Sequence, residues 1–223
     1  MNKITGAIVA LALFGLTGPT ARGTEVSGRV VVQGRSNSNA ATTIIYAESL
    51  DGRTPIHPVR RKLAQKNKSF LPSVLAIPAG STVDFPNEDP IFHNVFSLSK
   101  PEPFDMGLYR AGASKSRVFS APATYRVFCN IHPQMTAVIL VLPTSWIVEA
   151  DSAGAYHLDL PPGRYRITAW SDRSQPASTE VTVGPQTTAA PELSLNESNY
   201  VESPHKNKYG LDYSKNPYDA LKH

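Results

Sequence analysis

What most limits the fold of this chain is its punctuation. The 223 residues carry 19 prolines and 14 glycines, and these fall between short runs that alternate apolar and polar residues. Such alternation places successive side chains on opposite faces of a strand, and Pro/Gly clusters between the runs mark turns. The segments 25–33, 42–47, 73–77, 82–85, 92–98, 118–119, 124–129, 137–142, 146–150, 155–160, 164–170 and 179–183 read as strands. Turns are expected at Pro78-Ala79-Gly80-Ser81, Asp151-Ser152-Ala153-Gly154 and Pro161-Pro162-Gly163. Nothing has convincing helical period. The expected class is therefore all-β, as a sandwich or barrel with a second small β unit.

Hydrophobic residues make up 41% of the chain and charged residues 18%, enough apolar content for one or two real cores. The formal net charge of +4 is mild and forms no basic stripe, so a nucleic-acid partner is not expected. Residues 1–23 read as a signal peptide. Lys3 precedes a short apolar run at 6–16, and Ala21-Arg22-Gly23 fits a small-x-small cleavage site. The run is too short to span a bilayer, so a periplasmic or otherwise exported protein without a membrane span after cleavage is expected. From about residue 187 the chain turns polar, and residues 187–223 read as a disordered or loosely attached tail.

The chain has one cysteine, Cys129. A lone thiol in an exported chain is an inert buried residue, an intermolecular partner or a ligand, and its neighbours decide. Cys129-Asn130-Ile131-His132-Pro133-Gln134-Met135 is a Cys-x-x-His-x-x-Met loop between two strand candidates, and His93-Asn94 stands at the end of another. Each residue alone has a bland reading: a polar residue at a turn for His93, a buried thiol for Cys129, a gap-filling core residue for Met135. Together they supply two imidazoles, a thiolate and a thioether, a donor set that serves both copper(I) and copper(II), with zinc the main rival. One copper ion held by His93, Cys129, His132 and, more weakly, Met135 is the expected cofactor. Glu88, Asp89, Met106 and Tyr109 lie in segments that could approach the site.

The segments 66–72, Ile77-Pro78-Ala79-Gly80-Ser81-Thr82-Val83-Asp84-Phe85-Pro86-Asn87, Phe92-His93-Asn94-Val95 and 129–135 resemble the cupredoxins, the plastocyanin and amicyanin branch above all. The short His-to-Met spacing is like the amicyanin loop. The likeness covers roughly residues 62–142. It implies an eight-stranded Greek-key sandwich with a type 1 copper near one end, His93, Cys129, His132 and Met135 as ligands, and Asn94 bracing the Cys loop by a hydrogen bond. Ile131 stands where many relatives carry Pro. Asp151-x-x-Gly154-x-Tyr156-x-Leu158 and Leu160-Pro161-Pro162-Gly163-x-Tyr165-x-Ile167-x-Ala169-Trp170 resemble the carboxypeptidase-regulatory-like fold, a small β-sandwich, and Val26-Ser27-Gly28-Arg29-Val30 is similar to its opening strand. The expected division is thus 24–59 as an N-terminal β segment that is a candidate to pair with 144–186, with the copper unit, 60–143, inserted between. Trp146 and Trp170 read as core, and His57, His157, His205 and His223 as incidental.

The function this implies is an electron carrier that meets a dehydrogenase, oxidase or cytochrome transiently. The alternative is a copper storage, delivery or sensing module without a redox partner. A metal-free structural or adhesion protein is disfavoured by the intact ligand set. No nucleophile–base pair or open-site metal motif points to an enzyme. Ile131, Pro133, Pro90, Ile91 and Phe92 are the candidates for an apolar docking ring around the His132 edge.

Overall fold

The computed structural model describes residues 23–34, 41–202 and 204–213; the apolar leader lies outside them. In chain order the strands are β1 (Thr24–Gln33), β2 (Ile44–Ser49), β3 (Arg60–Lys62), β4 (Ala64–Lys66), β5 (Ser69–Leu71), β6 (Val74–Pro78), β7 (Ser81–Pro86), β8 (His93–Ser97), β9 (Phe104–Tyr109), β10 (Ser114–Phe119), β11 (Ala123–Phe128), β12 (Thr136–Leu142), β13 (Ile147–Glu149), β14 (Ala155–Leu160), β15 (Gly163–Trp170), β16 (Ala177–Val183), β17 (Thr188–Ala189) and β18 (Leu193–Asn196). The described residues contain no helix, and so none long and apolar enough to cross a membrane.

Residues 60–142 form one sandwich. A five-stranded sheet, β6-β12-β11-β8-β9, faces a three-stranded sheet, β10-β7-β3, and β4-β5 is a separate hairpin. Val83 and Phe85 point inward from β7, and Tyr125 and Val127 from β11, to meet Leu63, Phe70, Ile77, Val95, Phe119 and Ile139 in a closed core. The period-2 burial of β7 is what its sequence alternation requires.

β12 breaks that alternation, and the reason is physical. Its Ala137, Ile139 and Val141 enter the sandwich core, while Val138, Leu140 and Leu142 on the other face pack with Ile44 and Trp170 from outside the sandwich. A strand covered on both faces reads as a continuous apolar run. Each fully buried aliphatic side chain contributes about 1.5–3 kcal/mol relative to exposure, so this second face is a substantial contact between the two units. An ion pair from Arg126 to Asp172, at 2.6 Å, lies between the same units.

The second unit is built from both ends of the chain. β1 pairs antiparallel with β14, Thr24 opposite Leu160 through Arg29 opposite Ala155. β2 lies between β13 and β15, and β16 completes that sheet. Residues 60–142 therefore form an insertion between β2 and β13. The turn before β14 needs its glycine: Gly154 has φ +81°, and an added Cβ would lie 2.1 Å from the Val30 carbonyl oxygen. Asp151 closes the turn by accepting the Ala153 and Ala155 N–H groups at 2.8 Å each.

The short strands β3, β4, β5 and β17 were not read from the sequence, and β9 and the chain after residue 187 depart further from expectation. β9 was not read from the sequence because Phe-Asp-Met-Gly-Leu-Tyr has no clean alternation. It is an edge strand, half-buried along most of its length. The chain after residue 187 differs more. β18 pairs in parallel with the second half of β1, Val30 opposite Leu193 through Gln33 opposite Asn196, and Leu193 and Leu195 are buried in the second core. The polar average of the tail hides this four-residue alternating strand.

Candidate metal centre

His93 opens β8, and Cys129 follows the last residue of β11. The loop between β11 and β12 is closed by two backbone bonds, Cys129 N–H to the Met135 carbonyl (3.2 Å) and Met135 N–H to the His132 carbonyl (3.1 Å). A register shift between Asn94 and Phe96 interrupts the β8–β9 ladder, a bulge of the kind that re-aims side chains beside a site. Every residue of β8 is buried.

The three donors converge. His93 Nδ1 lies 3.1 Å from His132 Nδ1, and Cys129 Sγ lies 4.0 Å from His93 Nδ1 and 3.7 Å from His132 Nδ1. All three residues are buried, so the thiol and both rings are shielded from water. The three donor atoms are close enough together that a single metal ion could be held by all of them; two imidazoles and a thiolate are a donor set that would suit copper or zinc. Met135, fully buried at the end of the loop, shares the core cluster of Cys129.

Outer partners hold the set in place. Asn94 Oδ1 accepts the Asn130 N–H at 3.2 Å, the brace expected of Asn94, and Asn94 Nδ2 donates to Asp105 Oδ1 at 2.7 Å. Asp89 has a role that was not assigned from sequence. Its Oδ2 lies 2.7 Å from His93 Nε2, and the carboxylate also accepts the N–H groups of Asn67 (2.6 Å) and Lys68 (2.9 Å). Those two residues have φ of 54° and 53° and form the two-residue turn of the β4–β5 hairpin, with Lys66 opposite Ser69. A turn with both central residues left-handed presents its N–H groups to a nearby acceptor. Burial pushes the Asp89 carboxyl up, but the bonds from Lys68, His93 and Asn67 outweigh it and hold the group below its ordinary value. With Nε2–H committed to a carboxylate, Nδ1 of His93 carries the lone pair that faces the centre.

Burial pushes the Cys129 thiol up, opposed by backbone N–H groups of Asn94, Ile131 and His132 directed at the sulfur. His132 is pushed down to about 4 by burial, aided by His93 and Lys68 and opposed by Asp89. The His132 ring is thus held toward its neutral form, and a metal bound here would displace the Cys129 thiol proton.

Other candidates fall elsewhere. Glu88 pairs with Lys62 at 2.9 Å and Lys66 at 3.8 Å, away from the donors. Tyr109, opposite His93 across the β8–β9 ladder, gives its hydroxyl to the Phe85 carbonyl at 2.9 Å and takes a bond from Gln65. Met106 is half-buried against the sandwich core. The docking ring needs correction. Pro133, Pro90 and Phe92 are exposed and Ile91 half-buried, but Ile131 is only 1% exposed and belongs to the core; it is an anchor of the ligand loop. His205 also needs correction: it is not incidental but lies against that loop, with Nε2 2.7 Å from the Pro133 carbonyl. Trp146 packs edge-on against Tyr165 in the second core, and Trp170 is buried between the units.

No family model matches the chain, and no curated protein does. Solved structures similar to it include a Cu-containing nitrite reductase from Thermus scotoductus (26% identity, TM-score 0.36, 51% of this chain and 28% of that one). A purple cupredoxin from Nitrosopumilus maritimus is also similar (22%, 0.34, 37% of this chain and 99% of that one). So is amicyanin from Paracoccus versutus (20%, 0.35, 44% of this chain and 98% of that one).

Proposed function

We propose that this chain is an exported cupredoxin-type electron carrier holding one type 1 copper ion through His93, Cys129 and His132, with Met135 as the weak axial donor. The observation that carries the reading is the convergence of two imidazole nitrogens and one thiol sulfur, within 4.0 Å of one another, in a buried pocket. Copper bound there supplies a one-electron couple between its two oxidation states. The protein's share is positional. Asp89 holds the His93 ring, Asn94 ties the loop to β8, and β11 and β12 fix the loop ends. Rigid donors keep reorganisation small, and burial excludes water from the thiolate. Pro133, Pro90 and Phe92 offer exposed apolar surface to a transient redox partner.

The test is to load the protein with copper and cycle it between oxidant and reductant beside a copper(I) chelator. A carrier regains its full colour over many cycles. Transfer of copper to the chelator on the first reduction would replace the carrier by a delivery module.

A further inference from the structure

The ligand loop is gripped from outside by the C-terminal segment. His205 Nε2 bonds to the Pro133 carbonyl at 2.7 Å, and its ring stacks on Phe128, the residue before Cys129, with centroids 4.2 Å apart and planes at 30°. The Lys208 N–H donates to Asn130 Oδ1 at 2.9 Å. The Tyr213 hydroxyl donates to the Cys129 carbonyl at 2.8 Å and lies 3.2 Å from His205 Nδ1. The segment keeps its own shape through Asn207, whose Oδ1 accepts the N–H groups of Tyr209 and Leu211 at 2.9 and 3.1 Å.

These contacts close a ring. Asp105 accepts Asn94 Nδ2 on one oxygen and pairs with Lys208 Nζ, at 2.6 Å, on the other. Asn94 and Lys208 in turn hold opposite ends of Asn130, its N–H and its side-chain oxygen. The tail supplies polar partners to the Cys129 and Pro133 carbonyls. A loop with only two internal backbone bonds is thereby fixed at four of its positions or flanks: Phe128, Cys129, Asn130 and Pro133.

We propose that residues 205–213 are a clamp that sets the shape of the metal-ligand loop before metal arrives, with His205 and Tyr213 as its positioning residues. This rests on the copper reading above. The clamp orders the thiolate side of the site from outside the sandwich, as Asp89 orders the His93 side from within. It makes the chain's C-terminal segment a part of the metal centre.

Three proteins test it: the full chain, the double variant His205→Ala/Tyr213→Phe, and a chain ending at Pro204. In metal-free protein, amide hydrogen exchange over residues 130–135 reports the loop directly; the clamp predicts faster exchange there in both altered proteins, with the β7 and β11 amides unchanged. In copper-loaded protein, copper(I) should pass to a chelator roughly tenfold faster, the scale of one or two lost hydrogen bonds, and the ratio of the thiolate charge-transfer bands should change as the site geometry relaxes. If the shortened chain fails to fold, the double variant alone decides, since both of its substitutions lie in the surface segment. Unchanged loop exchange, with release within twofold and an unchanged band ratio, would overturn the clamp. If the full chain takes up no copper, the copper reading falls, and the metal-free exchange still decides whether the tail orders the loop.

Discussion

Asp89 Oδ2 and His93 Nε2 lie 2.7 Å apart in a buried pair whose carboxylate also collects two N–H groups from a hairpin turn. A carboxylate behind a ligating imidazole fixes its tautomer and raises its basicity, and such partners are worth 10–100-fold in metal affinity. Asp89→Asn keeps an acceptor oxygen but removes the charge. It should weaken copper(II) binding by roughly tenfold or more and raise the reduction potential, because the charge favours the more positive ion. Chelator competition and potentiometry read the two effects. Unchanged affinity and potential would reduce Asp89 to a turn-capping residue.

The His132 ring gives a pH prediction for the metal-free protein. Its value in the fold is pushed from 6.5 down to about 4, so the folded state binds fewer protons than the unfolded chain between those values. The contribution to stability is present above pH 6.5 and is lost as pH falls toward 4. Metal-free protein should melt at progressively lower temperature across that window, and NMR should place the His132 midpoint well below 6. A midpoint at 6.5 or above would show that the ring is not desolvated as described.

Trp170 tests the contact between the two units. It lies with Ile44 against Val138, Leu140 and Leu142 on the outer face of β12 and is only 8% exposed. Trp170→Ala should cost about 3–5 kcal/mol in denaturant unfolding. It should also split one transition into two if the 60–142 sandwich keeps its own core. A cost under about 1 kcal/mol would mean that the units do not depend on this contact.

The alternation of β7, β11, β14 and β15 and the Pro/Gly turns between them were legible in the sequence, because each strand has one covered face. The apolar run of β12 announced a strand covered on both sides, though its second partner, Trp170, could not be named from pattern alone. The donors His93, Cys129 and His132 were legible because their residue types and loop spacing are rare in combination. Asp89, four residues before His93, carried a usable signal, since a carboxylate near a candidate ligand is a natural partner. His205, Lys208 and Tyr213 carried none: they reach the loop across more than seventy residues of chain, in a segment whose composition is that of a loose tail. Ile131 was misread because position in a ligand loop does not decide which way a side chain faces.

The visible spectrum of the copper(II)-loaded protein tests the proposed copper–thiolate site most directly. The account predicts an intense thiolate-to-copper charge-transfer band, blue to green, that vanishes in Cys129→Ser while that variant's fold is retained. A copper(II) complex that is bound but nearly colourless would contradict it.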